Sequence, residues 1–466
     1  MKQQHNRPAA SSNAEKLLKV LAFTLVFSVM NASIFNVVLP VIGKEFKLNP
    51  SDLSWVSTGY MIVYAIGSVT YGKLADRYRL KDLLSFGLVL FALGSLVGVA
   101  AVDYWMIILA RVLQAAGASV IPATGMIIPV RYFPPEERGR ALGTSAIGLA
   151  LGSALGPIVS GFVTGFASWR FLFLVSVLPL MTLPFYLKYL DDEKGAPRPI
   201  DFIGGALLAG TVSLLLLSIT RGSLPFLIAG LGLGVLLAWR LLSTPEPFVN
   251  PAMFRNRSYT AGIIVAFLAN AMSFGMPFIT PQFLSRLNGL TPLEIGLVLF
   301  PAALVTAFMG RKGGRLADTR GNPTLVLTAS VLLLCCFLLL SVFVGLSPYW
   351  IMLMLIFGNV GQSFMGIAMS NTVSRTLKRE ETGVGMGLFS MMNFISGAAA
   401  TGLIGRLLDS GSVSFRLNPL LVLREGALYS NIFLSLGAGT VLVALLYLSG
   451  FGKSKRSSEA GLKTGN

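Results

Sequence analysis

The sequence predicts an all-α polytopic membrane protein, and three observations support that prediction. The 466-residue chain is 54% hydrophobic and 12% charged, about half the charged share of a soluble globular protein. Fourteen mostly apolar stretches each approach the length of about 20 residues that a membrane-spanning helix needs. No stretch shows the alternation of a transmembrane β-barrel. A soluble enzyme and a disordered protein are therefore excluded.

The predicted spans cover most of the chain and are joined by short connections. They have to be helical, because within lipid only helices and closed barrels satisfy the backbone. The first is too long for a signal peptide and lacks a cleavage site. The spans are 20–42, 55–75, 83–102, 104–130, 140–165, 170–189, 202–220, 223–242, 259–284, 294–314, 323–345, 349–373, 384–408 and 428–450.

The distribution of Lys and Arg predicts the orientation of the spans. With the N-terminus in the cytoplasm, 28 of the 37 basic residues fall on the cytoplasmic side and 8 on the outer side. This bias follows the positive-inside rule, so both termini are predicted to be cytoplasmic. The net charge of +17 is mostly a consequence of that topology, and nucleic acid is rejected as a partner.

The positions of the histidine and of the two cysteines argue against histidine chemistry within the membrane and against a disulfide framework. His5, the one histidine, lies in the polar N-terminal tail, and Cys335 and Cys336 are adjacent, which prevents an unstrained disulfide between them. A membrane-embedded enzyme would need a catalytic constellation within reach of the bilayer. The sequence therefore predicts no catalytic residues, no metal site and no cofactor.

The two halves of the chain resemble each other at a nearly constant offset. The pentapeptide 72–76 matches 314–318, and three other pairs of segments match in the same order along the two halves. Matching loops lie on the same side of the membrane, so the halves are predicted to be parallel repeats. The predicted domains are a six-span lobe at 1–190, a linker with two inserted spans at 191–258, a second six-span lobe at 259–452 and a disordered tail at 453–466.

Three motifs resemble those of the major facilitator superfamily. Residues 72–82 and 313–321 resemble its loop motif, 109–117 its span-four motif, and 148–161 its span-five "antiporter" motif. With fourteen spans, the chain resembles the drug:proton antiporters of that superfamily, and among them the tetracycline and multidrug efflux proteins of Gram-positive bacteria. The resemblance implies two lobes that rock about a substrate site between them.

The loop motif predicts a gating contact. Asp76 follows the second span, where its carboxylate can cap a neighbouring helix or pair with a loop arginine such as Arg77. Gly314 and Asp318 repeat Gly72 and Asp76 in the second lobe. Such a contact can form in one conformation and break in the other. The alternative is a solvated turn.

The span-five motif predicts close helix packing. Gly148, Gly152 and Gly156 recur every four residues, which places them on one face where another helix can approach closely. Pro157 weakens the hydrogen-bond ladder and permits a bend. A hinge role for this helix is inferred from that bend, and plain packing is the alternative.

Arg111 is the one charged residue well inside a predicted span. Its burial costs about 2.5–3.5 kcal/mol on insertion scales, so other groups have to offset that cost. Gln114 lies one turn away on the same face. In the superfamily the matching arginine is tied to proton coupling. The alternative is a structural arginine bonded to backbone carbonyls.

Proton coupling is implied by the resemblance and has no midplane carboxylate to support it. The related antiporters usually carry an acid in span one, where this chain has Asn31, and often a glutamate in span five, where it has Ser153. The acids nearest to membrane depth are Asp52 and Asp409, both predicted near the outer face. Either a peripheral acid carries the proton, or the coupling differs, or transport is uncoupled.

Uncharged polar residues in apolar spans predict the substrate cavity. Together with Phe and Met they suit a large amphipathic molecule, and Arg111 would favour an anion or zwitterion over a dication. Each has the alternative role of an interhelical hydrogen bond, worth about 0.6 kcal/mol. The candidates are Asn31, Asn36, Gln114, Asn270, Gln282, Asn359, Gln362, Asn371 and Asn393.

These observations predict a transporter that exports amphipathic drugs, tetracycline-like or of several kinds, across the bacterial cytoplasmic membrane. The span-five motif favours export, and the resemblance implies proton antiport. The alternative is an uptake or facilitative carrier for a small polar solute, which the missing midplane acids favour. The predicted partners are the substrate, protons and the lipid bilayer, and the protein is predicted to be a monomer.

Overall fold

A computed structural model of the protein describes residues 12–75, 77–134, 137–191, 201–378, 382–411 and 415–451. These residues form seventeen α-helices, most of them joined by short turns. They are α1 Ser12–Ile34, α2 Leu39–Phe46, α3 Pro50–Ala75, α4 Leu80–Val99, α5 Tyr104–Ala118, α6 Val120–Tyr132, α7 Arg138–Phe166, α8 Phe171–Val175, α9 Leu183–Tyr189, α10 Phe202–Arg221, α11 Leu224–Ser243, α12 Arg257–Arg286, α13 Pro292–Arg320, α14 Asn322–Phe343, α15 Pro348–Arg375, α16 Thr382–Leu408 and α17 Ala427–Phe451.

Within the described residues, thirteen helical segments are long and apolar enough to cross a membrane. The remaining predicted span is α3, which has 26 residues and is thus about 39 Å long. Its most apolar stretch is less hydrophobic than those of the other spans. This segment can still cross a membrane because its polar residues face protein and not lipid; Ser54, Ser57 and Thr58 are buried. The all-α polytopic fold class is therefore confirmed, and α3 is the candidate for the fourteenth span.

Three predicted spans differ from the expectation in being interrupted. The chain turns at residues 35–38 between α1 and α2, breaks between α5 and α6, and forms a 3₁₀ turn at Leu178–Thr182 between α8 and α9. In each case a proline, Pro40, Pro122 or Pro184, lies in the first turn of the following segment. Proline has no amide hydrogen to donate, so it is tolerated at the start of a helix and ends the one before it.

The helices pack into two lobes. In the first, α1 packs along α7 and α4 along α5; in the second, α14 packs along α15 and α17, and α12 along α16. The lobes meet where α3 packs against α16 and α7 against α13. The exact domain boundaries and the cytoplasmic position of both termini stay predictions. The predicted disordered tail, 453–466, lies outside the described residues.

The two inserted helices form a hairpin beside the contact between the lobes. The first, α10, packs against both α3 and α16, and its Thr220 accepts a hydrogen bond from the Trp55 indole of α3 (3.2 Å). The second, α11, has Gly230 as its one buried residue. Its apolar side chains therefore face the surroundings, which agrees with a lipid-facing position.

Asp201 holds the two ends of this hairpin together. It accepts hydrogen bonds from the amides of Gly204 (2.9 Å) and Phe248 (3.1 Å), and from Nε of Arg240 (3.1 Å). Burial raises the pKa of Asp201, but these three donors lower it by more, so its pKa lies below the usual value. The carboxylate stays ionised and caps the first turn of α10.

Candidate functional site

The two lobes enclose a cavity between α1, α3 and α7 on one side and α12, α13, α15 and α16 on the other. We call it the central cavity; its volume is about 540 Å³. None of the described residues that line it carries a formal charge. Its aromatic and methionine residues are Tyr60, Met61, Tyr64, Phe274, Met276, Phe278 and Phe394, and its polar residues include Asn36, Ser57, Thr280, Asn359, Gln362 and Ser363.

The lobes touch at one end of the cavity, which we call the closed end. A Cβ added to Gly161 of α7 would lie 2.8 Å from the carbonyl oxygen of Pro292. A Cβ added to Gly296 of α13 would lie 2.6 Å from the carbonyl oxygen of Pro157, and Gly405 of α16 is about as close to α3. Side chains do not fit at these distances, so the glycines are what allows the backbones to meet.

The same helices are apart at the opposite end, which we call the motif end because it carries the predicted loop motifs. Gly143 of α7, Gly314 of α13 and Gly387 of α16 are each 18 residues from the closed-end glycine of the same helix. That spacing is five helical turns, so they lie on the same faces. A Cβ added there, or at Gly72 of α3, meets no described atom within 4 Å. Among the described residues the lobes therefore do not touch at these positions, and the described part of the central cavity opens towards the motif end.

Two carboxylates, predicted from the sequence as peripheral acids, lie at the closed end. Asp409, which follows α16, accepts a hydrogen bond from the Ser51 amide in the first turn of α3 (3.0 Å), where a negative charge is favourable. Asp52 pairs with Arg221 of α10 (2.8 Å). The side chains of Asp52 and Asp409 are each 15% exposed. The structure thus brings both acids to the N-terminus of one helix.

Arg111 is 1% exposed and belongs to a network that includes two other predicted residues. Its Nη1 donates to Oδ1 of Asn31 (2.9 Å) and Oε1 of Gln114 (3.0 Å), and its Nε to the carbonyl of Val56 (3.2 Å). Asn31 in turn donates to Oγ of Ser176 (2.5 Å). Asn31, Arg111 and Gln114 therefore lie together, but behind the wall of the central cavity and not on it.

Two aromatic rings flank the Arg111 guanidinium. Its Cζ lies 4.1 Å from the ring centroid of Tyr60 and 4.6 Å from that of Phe35, and such cation–π contacts help offset the burial of a cation. Tyr60 lines the central cavity, so its ring separates Arg111 from the cavity. Nη2 of Arg111 and the Tyr60 hydroxyl are buried and have no hydrogen-bond partner in the described part of the chain.

Five of the other predicted polar residues divide between the cavity and helix contacts. Gln362, with Asn36 and Asn359, lines the central cavity. Asn270 of α12 donates instead to Asn393 of α16, and neither of these lines the cavity. These two asparagines join two helices of the second lobe. They therefore have the alternative role given above, an interhelical hydrogen bond.

The residues of the predicted gating motif do not make a latch in the part of the chain that is described. Asp76 lies outside the described residues. Arg77 is exposed beside Tyr78, and Asp318 is exposed near the end of α13. Arg140, another arginine near the motif end of the first lobe, pairs with Glu15 of α1. The gating contact stays a prediction.

The glycine stripe of α7 packs against α1. A Cβ added to Gly148 would lie 2.7 Å from the carbonyl oxygen of Ala22, and Gly152 and Gly156 are in equally close contact with α1. The helix continues through Pro157. The predicted small-residue contact is therefore present, whereas a hinge at Pro157 stays a prediction.

Sequence reasoning did not find Tyr60, Gly296 or Gly405. A signal for Tyr60 was available: Tyr60 and Tyr64 are one turn apart in a span rich in Ser and Thr, and their rings stack at 5.5 Å. The glycines had no such signal, because the chain contains 50 glycines and contact between lobes depends on tertiary structure.

Comparisons with known proteins agree with this architecture. Residues 21–401 match the family model described as Major Facilitator Superfamily. The riboflavin transporter RibZ of Clostridioides difficile (strain 630) is 27% identical over 323 residues, which are 67% of this chain and 70% of RibZ. The putative multidrug resistance protein MdtD of Yersinia pestis (strain Pestoides F) is 27% identical over 407 residues, 84% of this chain and 87% of MdtD.

A solved structure shares the fold. The crystal structure of a POT family transporter in complex with a thioalcohol-conjugated peptide has a TM-score of 0.69 and 15% identity, and the match covers 94% of this chain and 96% of that one. At this identity the likeness concerns the fold alone.

Proposed function

As a member of the Major Facilitator Superfamily, the chain is a multi-pass membrane transporter, and we propose that it exports amphipathic organic compounds, drugs among them. Export would proceed by alternating access, in which the two lobes expose the central cavity first to one side of the membrane and then to the other. Its predicted coupling to protons and its predicted monomeric state are part of this proposal.

The central cavity is the observation that supports this function most. Its volume of about 540 Å³ falls within the range of sites for drug-sized molecules, about 300–1,000 Å³. Aromatic and methionine side chains offer apolar surface, while Asn36, Asn359 and Gln362 offer uncharged hydrogen-bonding groups. Such a lining suits molecules that combine an apolar body with polar substituents.

The span-five motif and one relative favour export over uptake. The span-five motif of α7 resembles that of antiporters, and the relative MdtD is described as a putative multidrug resistance protein.

We propose Asp52 and Asp409 as the candidate groups for proton coupling. No charged residue lines the described part of the central cavity, so a carboxylate that binds both substrate and proton is not available there. Asp52 and Asp409 lie at the contact between the lobes. A change in their protonation would act on the contact that has to break during transport.

Transport by everted membrane vesicles tests the proposal. Vesicles that contain the protein receive a proton gradient, and the uptake of tetracycline and the release of protons are recorded together. We expect protein-dependent tetracycline uptake that collapses with the gradient and is lost in Arg111→Ala. Arg424→Ala, at an exposed position in a short 3₁₀ turn, is the matched control and should transport normally. Uptake that ignores the gradient would contradict antiport.

A facilitative carrier for a polar solute is the second candidate. The lack of charged residues in the described cavity lining favours it, and the relative RibZ is described as a riboflavin transporter. The same vesicles separate the two functions. Riboflavin movement down its own concentration gradient, with no response to tetracycline or to the proton gradient, would favour the carrier.

A further inference from the structure

The central cavity is electrically neutral on its surface but not behind it. The described residues of its lining carry no formal charge, so any selection for substrate charge has to come from groups behind the wall. Arg111 is the buried cation at that depth, and Tyr60 lies between it and the cavity.

The charge of Arg111 is not neutralised by an anion. Its acceptors are the backbone carbonyls of Val56 and Asn31 and the side-chain amide oxygens of Asn31 and Gln114, all of which are neutral. Among the described residues no carboxylate lies within ion-pair distance of it. Neutral dipoles hold the guanidinium in place, but they leave its unit charge uncompensated.

Two donors at this wall lack acceptors. Nη2 of Arg111 and the hydroxyl of Tyr60 are both buried without a hydrogen-bond partner in the described residues, and both residues are 1% exposed. Buried donors are nearly always paired in native proteins. Both atoms are covered, so an acceptor on a bound ligand would reach the Tyr60 hydroxyl and Nη2 once the Tyr60 ring shifts.

We propose that the central cavity selects amphipathic anions and zwitterions, whose negative group is held at the wall formed by Tyr60 and Arg111. This inference rests on the proposed export function and specifies its substrate class. The second lobe presents Leu355 to the cavity, near the position that corresponds to Arg111 in the internal repeat, so the charge lies on one side only.

The surroundings make a single charge effective. Coulomb interactions are several times stronger within a protein than in water, and low-dielectric walls focus the field into a cavity. A cation in the cavity is repelled by Arg111 while an anion is attracted. For ligands of the same shape we expect at least about a tenfold difference in affinity between the two charge types.

Binding of two dyes to the purified protein in nanodiscs tests this inference. Fluorescein, an anion at pH 7.5, and rhodamine 123, a cation, share one tricyclic skeleton and differ mainly in charge. Equilibrium fluorescence titration gives a Kd for each. We expect the Kd of fluorescein to be at least about tenfold lower than that of rhodamine 123.

Two variants remove the excess charge in different ways. Asn31→Asp keeps the size of the side chain and its acceptor for Arg111, but supplies the missing anion 2.9 Å from Nη1. Arg111→Gln deletes the cation. Each should reduce the preference for fluorescein about tenfold. Asn393→Asp is the matched control: it adds the same charge and keeps the acceptor for Asn270 in the second lobe, but is not among the hydrogen-bond partners of Arg111, and should change the preference much less than Asn31→Asp does.

The outcomes separate this inference from the function on which it rests. Rhodamine 123 bound as tightly as fluorescein, or a preference unchanged in Asn31→Asp, would overturn the charge selection and leave amphipathic export intact. If the protein neither binds nor transports either dye, the proposed export function fails, and the charge selection fails with it. A preference lost in Asn31→Asp and Arg111→Gln but kept in Asn393→Asp supports the inference.

Discussion

The closed end and the motif end are built from the same four helices, yet the lobes touch at one and are apart at the other. At the closed end Gly161, Gly296 and Gly405 bring the backbones of facing helices together. Five turns away on the same faces, Gly143 and Gly314 meet nothing within the described residues. If each lobe moves as a rigid body, closing one end opens the other. We therefore expect the two ends to alternate, as alternating access requires.

The contacts that hold the closed end are individually weak. They consist of close backbone packing, the hydrogen bond from Ser51 to Asp409, and the ion pair of Asp52 with Arg221. An interhelical hydrogen bond in a membrane is worth about 0.6 kcal/mol, and an exposed ion pair under about 1 kcal/mol. A difference of a few kcal/mol between the two states is what a ligand can shift.

Gly296→Leu should have the largest effect on the equilibrium between the closed and open states of the closed end. Its side chain would meet the carbonyl of Pro157, and overpacking costs about 1–3 kcal/mol, which shifts a two-state equilibrium about 5- to 150-fold. We expect the closed end to open and transport to fall at least about tenfold. Pulsed EPR between spin labels at Val102 and Leu420, both exposed at the closed end, measures the opening in a Cys335→Ser background.

Gly314→Leu is the matched change at the motif end of the same helix. A Cβ there meets no described atom within 4 Å, so the observed state should tolerate the side chain. It would obstruct closure of the motif end, so we expect lost transport with an unchanged distance from Val102 to Leu420. Equal opening of the closed end in both variants would contradict the idea that the ends alternate.

Asp409→Asn should have a smaller effect in the same direction. The asparagine still offers an oxygen to the Ser51 amide, but the charge at the N-terminus of α3 is lost, which costs about 0.3–1 kcal/mol. We expect the open population of the closed end to rise about two- to fivefold by the same EPR distance. Asp103→Asn is the control, because Asp103 caps α5 within one lobe (2.9 Å to the Met106 amide) and should leave that distance unchanged.

Arg221→Gln tests whether the inserted hairpin helps to hold the closed end. The Arg221 side chain is 47% exposed, so its pair with Asp52 is screened and worth under about 1 kcal/mol. We expect less than about a fivefold rise in the open population, and 0.5 M salt should produce a similar rise in the wild type. Arg240→Gln, whose partner Asp201 lies at the other end of the hairpin, should not open the closed end.

The sequence was sufficient for the fold and for part of the candidate site. Spans and repeat follow from composition and pattern, since the bilayer imposes helices of a known length. Asn31, Arg111 and Gln114 stood out because polar residues in apolar spans are costly, and the structure joins them in one network. Tyr60 did not stand out, because an aromatic side chain in a span is equally at home in the protein core and at a cavity wall. Which end of the cavity is closed depends on which glycine-containing helix faces pack against each other, and no local sequence pattern indicates that contact.

Glu45→Gln should have the smallest effect on the contact between the lobes. It distinguishes a loss of folding stability from a shift in the equilibrium between the open and closed states. Glu45 of α2 accepts hydrogen bonds from Arg170 (2.8 Å) and Trp169 (2.6 Å), so the contact lies at the closed end but within the first lobe. We expect unfolding to cost at most about 1 kcal/mol less at pH 7, with an unchanged EPR distance between the lobes. Thermal unfolding in detergent measures this loss, and Glu425→Gln at an exposed loop position is the control.

The pKa of Glu45 determines how the difference in stability between the wild type and Glu45→Gln depends on pH. The hydrogen bond from Arg170 is the main cause that lowers this pKa below its ordinary value of 4.5. A carboxylate with a depressed folded-state pKa contributes its stability above pH 4.5 and loses it as the pH falls through the folded-state value. The gap in thermal midpoint between wild type and Glu45→Gln should therefore be constant from pH 8 to pH 5 and shrink below pH 4.5. A gap that persists under acid would mean that packing of α2, and not the charge of Glu45, carries the effect.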